Sequence, residues 1–127
     1  MSERIKLVPN SEHPIAITPN PACVTIRVNG QIVAQTNRAL TLIEAGYPPV
    51  QYVPAGDVRM AALEPTERTT YCPYKGDCSY FSIPAGGDRS INAVWSYGEP
   101  FDAVRTIAGY LAFYPDRVDA IEESPIH

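Results

Sequence analysis

The sequence predicts a mainly β, single-domain fold, a small barrel or a tent-like folded sheet of short antiparallel strands with one or two short helices. Its 127 residues suffice for one domain with one hydrophobic core. Thirteen prolines are spread along the chain and would interrupt long helices. The longest proline-free run, residues 22–47, contains Asn29-Gly30, a strong signal for a tight β-hairpin. Together these observations exclude a helical bundle.

The first half of the chain is predicted to be an arm followed by strands. Residues 1–12 carry no periodic pattern and are expected to form a flexible N-terminal arm, so the β-rich domain is placed at 13–127. Prolines bracket residues 13–19, which favours an edge strand. Asp57 is expected to cap a short helical turn. The predicted strands of this half are 13–19, 23–28, 31–35, 40–44 and 50–53.

The second half is rich in aromatic residues, ten of the twelve in the chain lying between Tyr71 and Tyr114. Alternation of β-branched or aromatic residues predicts further short strands here. Pro100, at the first position, and the spacing of Phe101, Val104 and Ile107 predict a short amphipathic helix that stops at Gly109. The predicted strands of this half are 69–72, 79–83, 91–97, 110–114 and 118–122.

A hairpin is expected around Pro73–Gly76, because proline favours an early turn position and glycine tolerates the left-handed position that ends a turn. A four-residue loop would set Cys72 opposite Asp77 on the neighbouring strand. Cys72 and Cys78 would then point to opposite faces of the sheet, and a disulfide between them is not expected.

The hairpin tip and a later strand supply the candidate ligand-binding residues, Tyr74, Lys75, Trp95 and Tyr97. Lys75 is one of only two lysines and could anchor an anionic group as a point charge. Trp95 and Tyr97 could form an aromatic floor that stacks on a ring. The alternative is that Lys75 is a solvated charge and that Trp95 anchors the core. Binding of a small anionic or ring-containing ligand is the leading functional hypothesis.

Enzymatic activity is the second hypothesis, either that of a transferase acting on a nucleotide or phosphorylated substrate or that of a thiol-dependent enzyme. Cys72 is the weak candidate for a catalytic residue of the thiol-dependent enzyme. A nucleophilic cysteine needs a lowered pKa and usually a base, and His13 is the only internal histidine. Three cysteines without paired metal-ligand spacing predict reduced thiols and no metal site. Phosphate-loop and dinucleotide-binding motifs are missing, so no cofactor is predicted.

Charge and hydropathy limit the partners and the compartment. The net charge of −4 argues against binding to duplex nucleic acid or to an anionic membrane surface. No apolar run approaches the length of a membrane span, and the first residues do not resemble a signal peptide. A cytoplasmic protein is therefore expected. The third functional hypothesis is a structural module that forms a homodimer through an exposed strand edge.

A family resemblance is carried by the segments Tyr71-Cys72-Pro73-Tyr74-Lys75-Gly76, Ser79-Tyr80, Trp95-Ser96-Tyr97 with Pro100, Ile107-Ala108-Gly109 and Ala112-Phe113-Tyr114. These segments resemble a bacterial family, domain of unknown function 427, which is sometimes labelled as a nucleotidyltransferase-type domain. The resemblance runs from about His13 to Val118, and Cys78 departs from it because the family more often has alanine there. The resemblance implies a small, mostly β fold in which the 72–76 loop and the 95–97 strand together form one structural feature. The sequence lacks the close pair of metal-binding carboxylates that nucleotide transfer needs, so its residues do not support the transferase label.

Overall fold

Short runs of alternating residues, separated by turns and prolines, form ten strands in the computed structural model, which describes residues 4–125. Five 3₁₀ segments connect some of these strands, at Ala55–Asp57, Met60–Ala62, Pro84–Ser90, Asp102–Ile107 and Pro115–Arg117. The strands are β1 (Ile15–Pro19), β2 (Cys23–Val28), β3 (Gln31–Thr36), β4 (Leu40–Glu44), β5 (Val50–Tyr52), β6 (Glu64–Cys72), β7 (Gly76–Ser82), β8 (Val94–Ser96), β9 (Leu111–Phe113) and β10 (Ala120–Ser124).

The strands pair into three antiparallel sheets, with strand orders β1-β4-β5, β10-β2-β3 and β6-β7-β8-β9. A single bridge between Val53, next to β5, and Leu111 of β9 links two of the sheets, and another joins Ala34 of β3 to Val58 in the connection after β5. Among the described residues the strands therefore form a folded, tent-like arrangement and not a closed barrel. The predicted mainly β fold class is confirmed. No helix in residues 4–125 is long and apolar enough to span a membrane.

Local signals place several elements as predicted. Asn29 and Gly30 have φ angles of 49° and 76° and connect β2 to β3 as the two left-handed positions of a hairpin turn. β1 lies at the edge of its sheet, where its terminal proline disturbs no inner ladder. Asp57, in contrast, caps no helix, because its carboxylate accepts hydrogen bonds from the Thr36 hydroxyl and from Arg38.

The helix predicted from Pro100 is a 3₁₀ segment, Asp102–Ile107, interrupted at Val104, whose φ of −127° is not helical. The predicted apolar face is nevertheless buried, since Val104 and Ile107 are both fully enclosed. Gly109, with a φ of 75°, follows the segment in the left-handed region that ends such turns. The side-chain pattern was therefore predictable, while the helix type was not.

The hairpin around Pro73 differs from the prediction by one residue. Cys72 pairs with Gly76, Tyr71 with Asp77 and Thr70 with Cys78, so the loop contains three residues and not four. Cys78 therefore shares a face of the sheet with its partner Thr70, and Cys72, two residues beyond Thr70, lies on that same face because side chains alternate along a strand. The prediction that they point to opposite faces is wrong, although both cysteines are free thiols.

Residues 4–12, the described part of the predicted arm, contain no strand, and three of them, Arg4, Ile5 and Leu7, contact the β6–β7 hairpin. The Leu7 amide donates to the Pro73 carbonyl at 2.9 Å, and the Tyr71 hydroxyl donates to the Ile5 carbonyl at 2.6 Å. Arg4 forms an ion pair with Asp77. The flexibility assigned to this arm stays a prediction.

Two clusters of buried apolar residues form the core. One fills the space around β2, β3 and the Ile83 region, and the other lies beneath β4, β5, β7 and the Asp102–Ile107 segment. The second cluster contains three tyrosines as well as aliphatic side chains, and it supports the candidate site described next. Its buried members are Leu42, Tyr52, Cys78, Tyr80, Tyr97, Val104, Ile107 and Ala112.

Candidate functional site

Lys75 is a buried charge and not a solvated one. Only 9% of its side chain is exposed, and its Nζ donates to Glu44 Oε1 at 2.6 Å. Two backbone contacts hold its position in the hairpin loop: the Lys75 amide donates to the Cys72 carbonyl, and the Phe101 amide donates to the Lys75 carbonyl. The loop therefore directs Lys75 inward, toward the end of β4.

Glu44 links Lys75 to the start of the domain. Its Oε2 lies 2.7 Å from His13 Nε2, and its backbone pairs with Ile15 at the beginning of β1. The His13 ring stacks on Tyr74 with centroids 4.0 Å apart and planes 5° from parallel, so the imidazole has a fixed orientation. Burial tends to raise the pKa of Glu44, but the hydrogen bonds from Lys75 and His13 outweigh burial and lower it.

A cavity of about 370 Å³ opens beside this pair, and we call it the Lys75 cavity. Glu44 and Lys75 are its charged wall, and the remainder is aromatic, aliphatic or proline. A few polar groups on a mostly apolar wall are typical of small-molecule sites. The lining residues are Leu42, Glu44, Tyr47, Pro48, Pro49, Val50, Tyr52, Lys75, Tyr80, Trp95, Tyr97, Tyr114 and Pro115.

Trp95 has a fixed orientation in the cavity wall. Its backbone pairs with Tyr80 on one side and Ala112 on the other, and its Nε1 donates to the Tyr52 hydroxyl at 3.2 Å. The Tyr52 ring meets it edge-on, with centroids 6.3 Å apart, and Tyr114 packs against it at 4.4 Å. Trp95 is thus anchored as a core residue would be, and it also lines the cavity.

Three tyrosines of the cavity wall, Tyr52, Tyr97 and Tyr114, have a raised pKa and are neutral at neutral pH. Tyr97 directly follows β8 in the chain. Burial raises the pKa of Tyr97 and also that of Tyr52. Burial is likewise the main cause that raises the pKa of Tyr114 to about 12. The site therefore offers neutral phenols next to one ammonium and one carboxylate.

Three of the four predicted ligand-binding residues, Lys75, Trp95 and Tyr97, line this one cavity. Tyr74 does not line it and instead supports His13 by stacking. Sequence reasoning considered His13 only as a possible base for Cys72, and among the cavity-lining residues it did not assign Glu44, Tyr47, Tyr52 or Tyr114 to the site. Glu44 is the last residue of an ordinary strand, and His13 precedes β1 and is not part of an edge strand as expected.

Cys72 lies next to the site, with its Sγ 3.8 Å from Lys75 Nζ. Asp77, which was expected to be its neighbour, pairs with Arg4 instead. His13 is the only histidine within residues 4–125, and its Nε2 is hydrogen-bonded to Glu44. Within residues 4–125 no group of three or more His, Cys, Asp or Glu side chains could hold a metal ion. This geometry gives Cys72 a cationic neighbour.

The sequence matches the model of one protein family, described as a domain of unknown function, DUF427, over residues 16–124. A search of curated proteins found no match. The match includes the Cys72–Gly76 loop, the Trp95–Tyr97 segment and Glu44, and thus most of the cavity wall. Since it covers well over half of the sequence, the chain belongs to the DUF427 family.

Proposed function

We propose that the protein binds a small, ring-containing ligand in the Lys75 cavity. The observation that carries this proposal is that Lys75, Trp95 and Tyr97 line one cavity of about 370 Å³. This volume lies within the roughly 300–1,000 Å³ of known small-molecule sites.

The aromatic wall supports a ring as the main recognition element. Six of the lining side chains are tyrosine or tryptophan, and aromatic pairs contribute roughly 0.5–1.5 kcal/mol beyond their buried area. Because Trp95 is held by Tyr52 and Tyr114, its ring needs no reordering when a ligand arrives. Tyr47, which is 63% exposed at the cavity mouth, could cover a bound ring.

The charged wall supports a polar substituent on that ring. Glu44 and Lys75 neutralise each other, so the cavity offers a donor and an acceptor side by side and does not carry a free positive charge. An anionic group would have to share Lys75 with Glu44. A neutral group that both donates and accepts, or an anion held jointly by Lys75 and a tyrosine hydroxyl, fits this wall.

The single tryptophan provides a direct assay, because Trp95 is the only indole in the chain and lines the cavity. Benzyl alcohol, benzoate and adenine are titrated separately while Trp95 emission is recorded. We expect saturable changes in the millimolar range, which suits probes with so few atoms. Benzoate and benzyl alcohol differ mainly in charge, so their affinities compare an anionic with a neutral substituent.

Two variants localise the binding. Tyr47→Ala should weaken it about three- to tenfold, because one aromatic contact is lost. Ile43→Ala is the matched control, since Ile43 is also exposed and close in sequence but does not line the cavity. If none of the three probes produces a saturable change, or if both variants reduce affinity equally, the proposal is wrong.

A further inference from the structure

A second cavity adjoins the first one across Trp95. It has a volume of about 400 Å³, and we call it the Glu123 cavity. Pro49, Val50, Trp95 and Pro115 line both cavities, so the two form neighbouring parts of one groove. Beyond Trp95 the wall is mainly aliphatic and aromatic, contributed by Ile26, Phe113 and Ile121, with Gln51 and Glu123 as its polar members.

The residues common to both cavities are rigid. Pro49 and Pro115 have φ angles restricted by their rings. The Trp95 indole is fixed by its hydrogen bond to Tyr52 and by packing against Tyr114. A ligand lying across Trp95 would therefore meet a preformed surface, which reduces the entropic cost of binding.

The two ends of the groove differ in charge. In the Lys75 cavity the carboxylate of Glu44 is matched by an ammonium. Glu123 instead accepts a hydrogen bond from the neutral Asn20 amide at 2.7 Å, and within residues 4–125 it forms no ion pair. The same Asn20 amide donates to Gln51 Oε1 at 2.9 Å, which fixes the end of the groove as a hydrogen-bonded cluster. A cationic group would complement this end.

From this arrangement we infer that the two cavities form one elongated site for an amphipathic amine. Its ring would occupy the Lys75 cavity, its aliphatic chain would cross Trp95, and its ammonium group would lie at Glu123. The inference rests on the proposed function and extends it, because it names the ligand class and assigns Glu123 as a specificity-determining residue.

Chain length and charge of the probe test the inference. Benzylamine, phenethylamine and phenylhexylamine are titrated with Trp95 emission as the readout, each beside the alcohol of the same length. Phenylhexylamine should bind at least about tenfold more tightly than benzylamine, because it has five more methylenes and tenfold already follows if only about two of them are buried beyond Trp95. At the longest chain, the amine should bind about threefold more tightly than the alcohol, which is the effect of an exposed ion pair.

Glu123→Gln should abolish the preference for the longest amine over its alcohol. Glu122→Gln is the matched control, because Glu122 lies on the same strand but pairs with Arg27 and does not line either cavity. Both side chains are exposed, so neither substitution disturbs the core.

The outcomes separate this inference from the proposed function. Equal affinities for all chain lengths, or an unchanged amine preference in Glu123→Gln, would overturn the elongated site, while binding of benzyl alcohol would still support the Lys75 cavity. Failure of every ring probe would contradict both. A gain in affinity with chain length, together with an amine preference that is lost in Glu123→Gln and kept in Glu122→Gln, supports the inference.

Discussion

Replacing Glu44 with glutamine should destabilise the protein because it isolates a buried ammonium group. Glu44 bonds to Lys75 through one carboxylate oxygen and to His13 through the other. Glu44→Gln keeps the size of the side chain and one oxygen acceptor but removes the negative charge. Lys75, with 9% of its side chain exposed, would then have no ion-pair partner within residues 4–125.

The expected loss follows from the burial of the pair. Removal of one partner from a buried ion pair costs about 3–5 kcal/mol, and we expect about 3 kcal/mol here because the pair borders an open cavity and the amide retains one hydrogen bond. Glu122→Gln breaks an exposed pair with Arg27 and should cost less than about 1 kcal/mol. The double variant Glu44→Gln/Lys75→Met removes both charges and should recover most of the lost stability.

Urea unfolding at neutral pH, followed by Trp95 emission and by circular dichroism, measures these differences. Similar slopes with urea concentration in all variants would show that only stability has changed. If Glu44→Gln lies within about 0.5 kcal/mol of the wild type, the size of an ordinary surface substitution, the pair does not stabilise the fold and our reasoning is refuted.

Three further predictions concern pH, thiol reactivity and backbone conformation. The pKa of Glu44 is lowered in the folded state from an ordinary value near 4.5, so the stabilisation that Glu44 provides is present above that pH and is lost as the pH falls through the lower, folded-state pKa. Urea unfolding at neutral and acidic pH should therefore show a smaller drop in the free energy of unfolding for Glu44→Gln than for the wild type. Equal drops would count against a stabilising pair. Cys78 is 2% exposed and burial raises its pKa, so it should react with a disulfide reagent more slowly than the partly exposed Cys72, and equal rates, resolved by mass spectrometry, would contradict this. Gly76→Ala should lower the free energy of unfolding by about 1–2 kcal/mol, because Gly76 has a φ of 107° that L-residues rarely adopt. Gly56→Ala is the control and should change the free energy of unfolding by less than about 0.5 kcal/mol, because Gly56 has no positive φ and open space around it. Equal effects in urea unfolding would show that the positive φ at Gly76 does not require glycine.

Features set by short-range chemistry could be predicted from the sequence. Asn29-Gly30 specifies its hairpin because both residues tolerate the left-handed conformation that the turn requires. Val104 and Ile107 were placed correctly in the core by their spacing, although the segment is 3₁₀ and not α-helical. In both cases the information lies within a few neighbouring residues.

The hairpin register and the burial of Lys75 depend on contacts that a local pattern cannot report. Three- and four-residue loops both place a glycine near the end of the turn, so Gly76 alone did not distinguish them. Lys75 lies in the β6–β7 loop, and Glu44, thirty-one residues earlier in the chain, ends β4 in a different sheet. The burial of Lys75 depends on its ion pair with Glu44, which only the packing of the two sheets brings close. Proximity of aromatic residues in sequence did suggest Trp95 and Tyr97, since they share one strand region.

The most direct test of the Lys75 cavity as a ligand site is the nuclear magnetic resonance signal of the Trp95 indole N–H. The chain has one tryptophan, so this signal is unique, and its proton is donated to Tyr52 within the cavity wall. A saturable shift on addition of benzyl alcohol, reduced in Tyr47→Ala and retained in Ile43→Ala, is the result we predict. An indole signal that does not move with benzyl alcohol, benzoate or adenine would mean that the Lys75 cavity does not bind these rings, and the proposed function would be wrong.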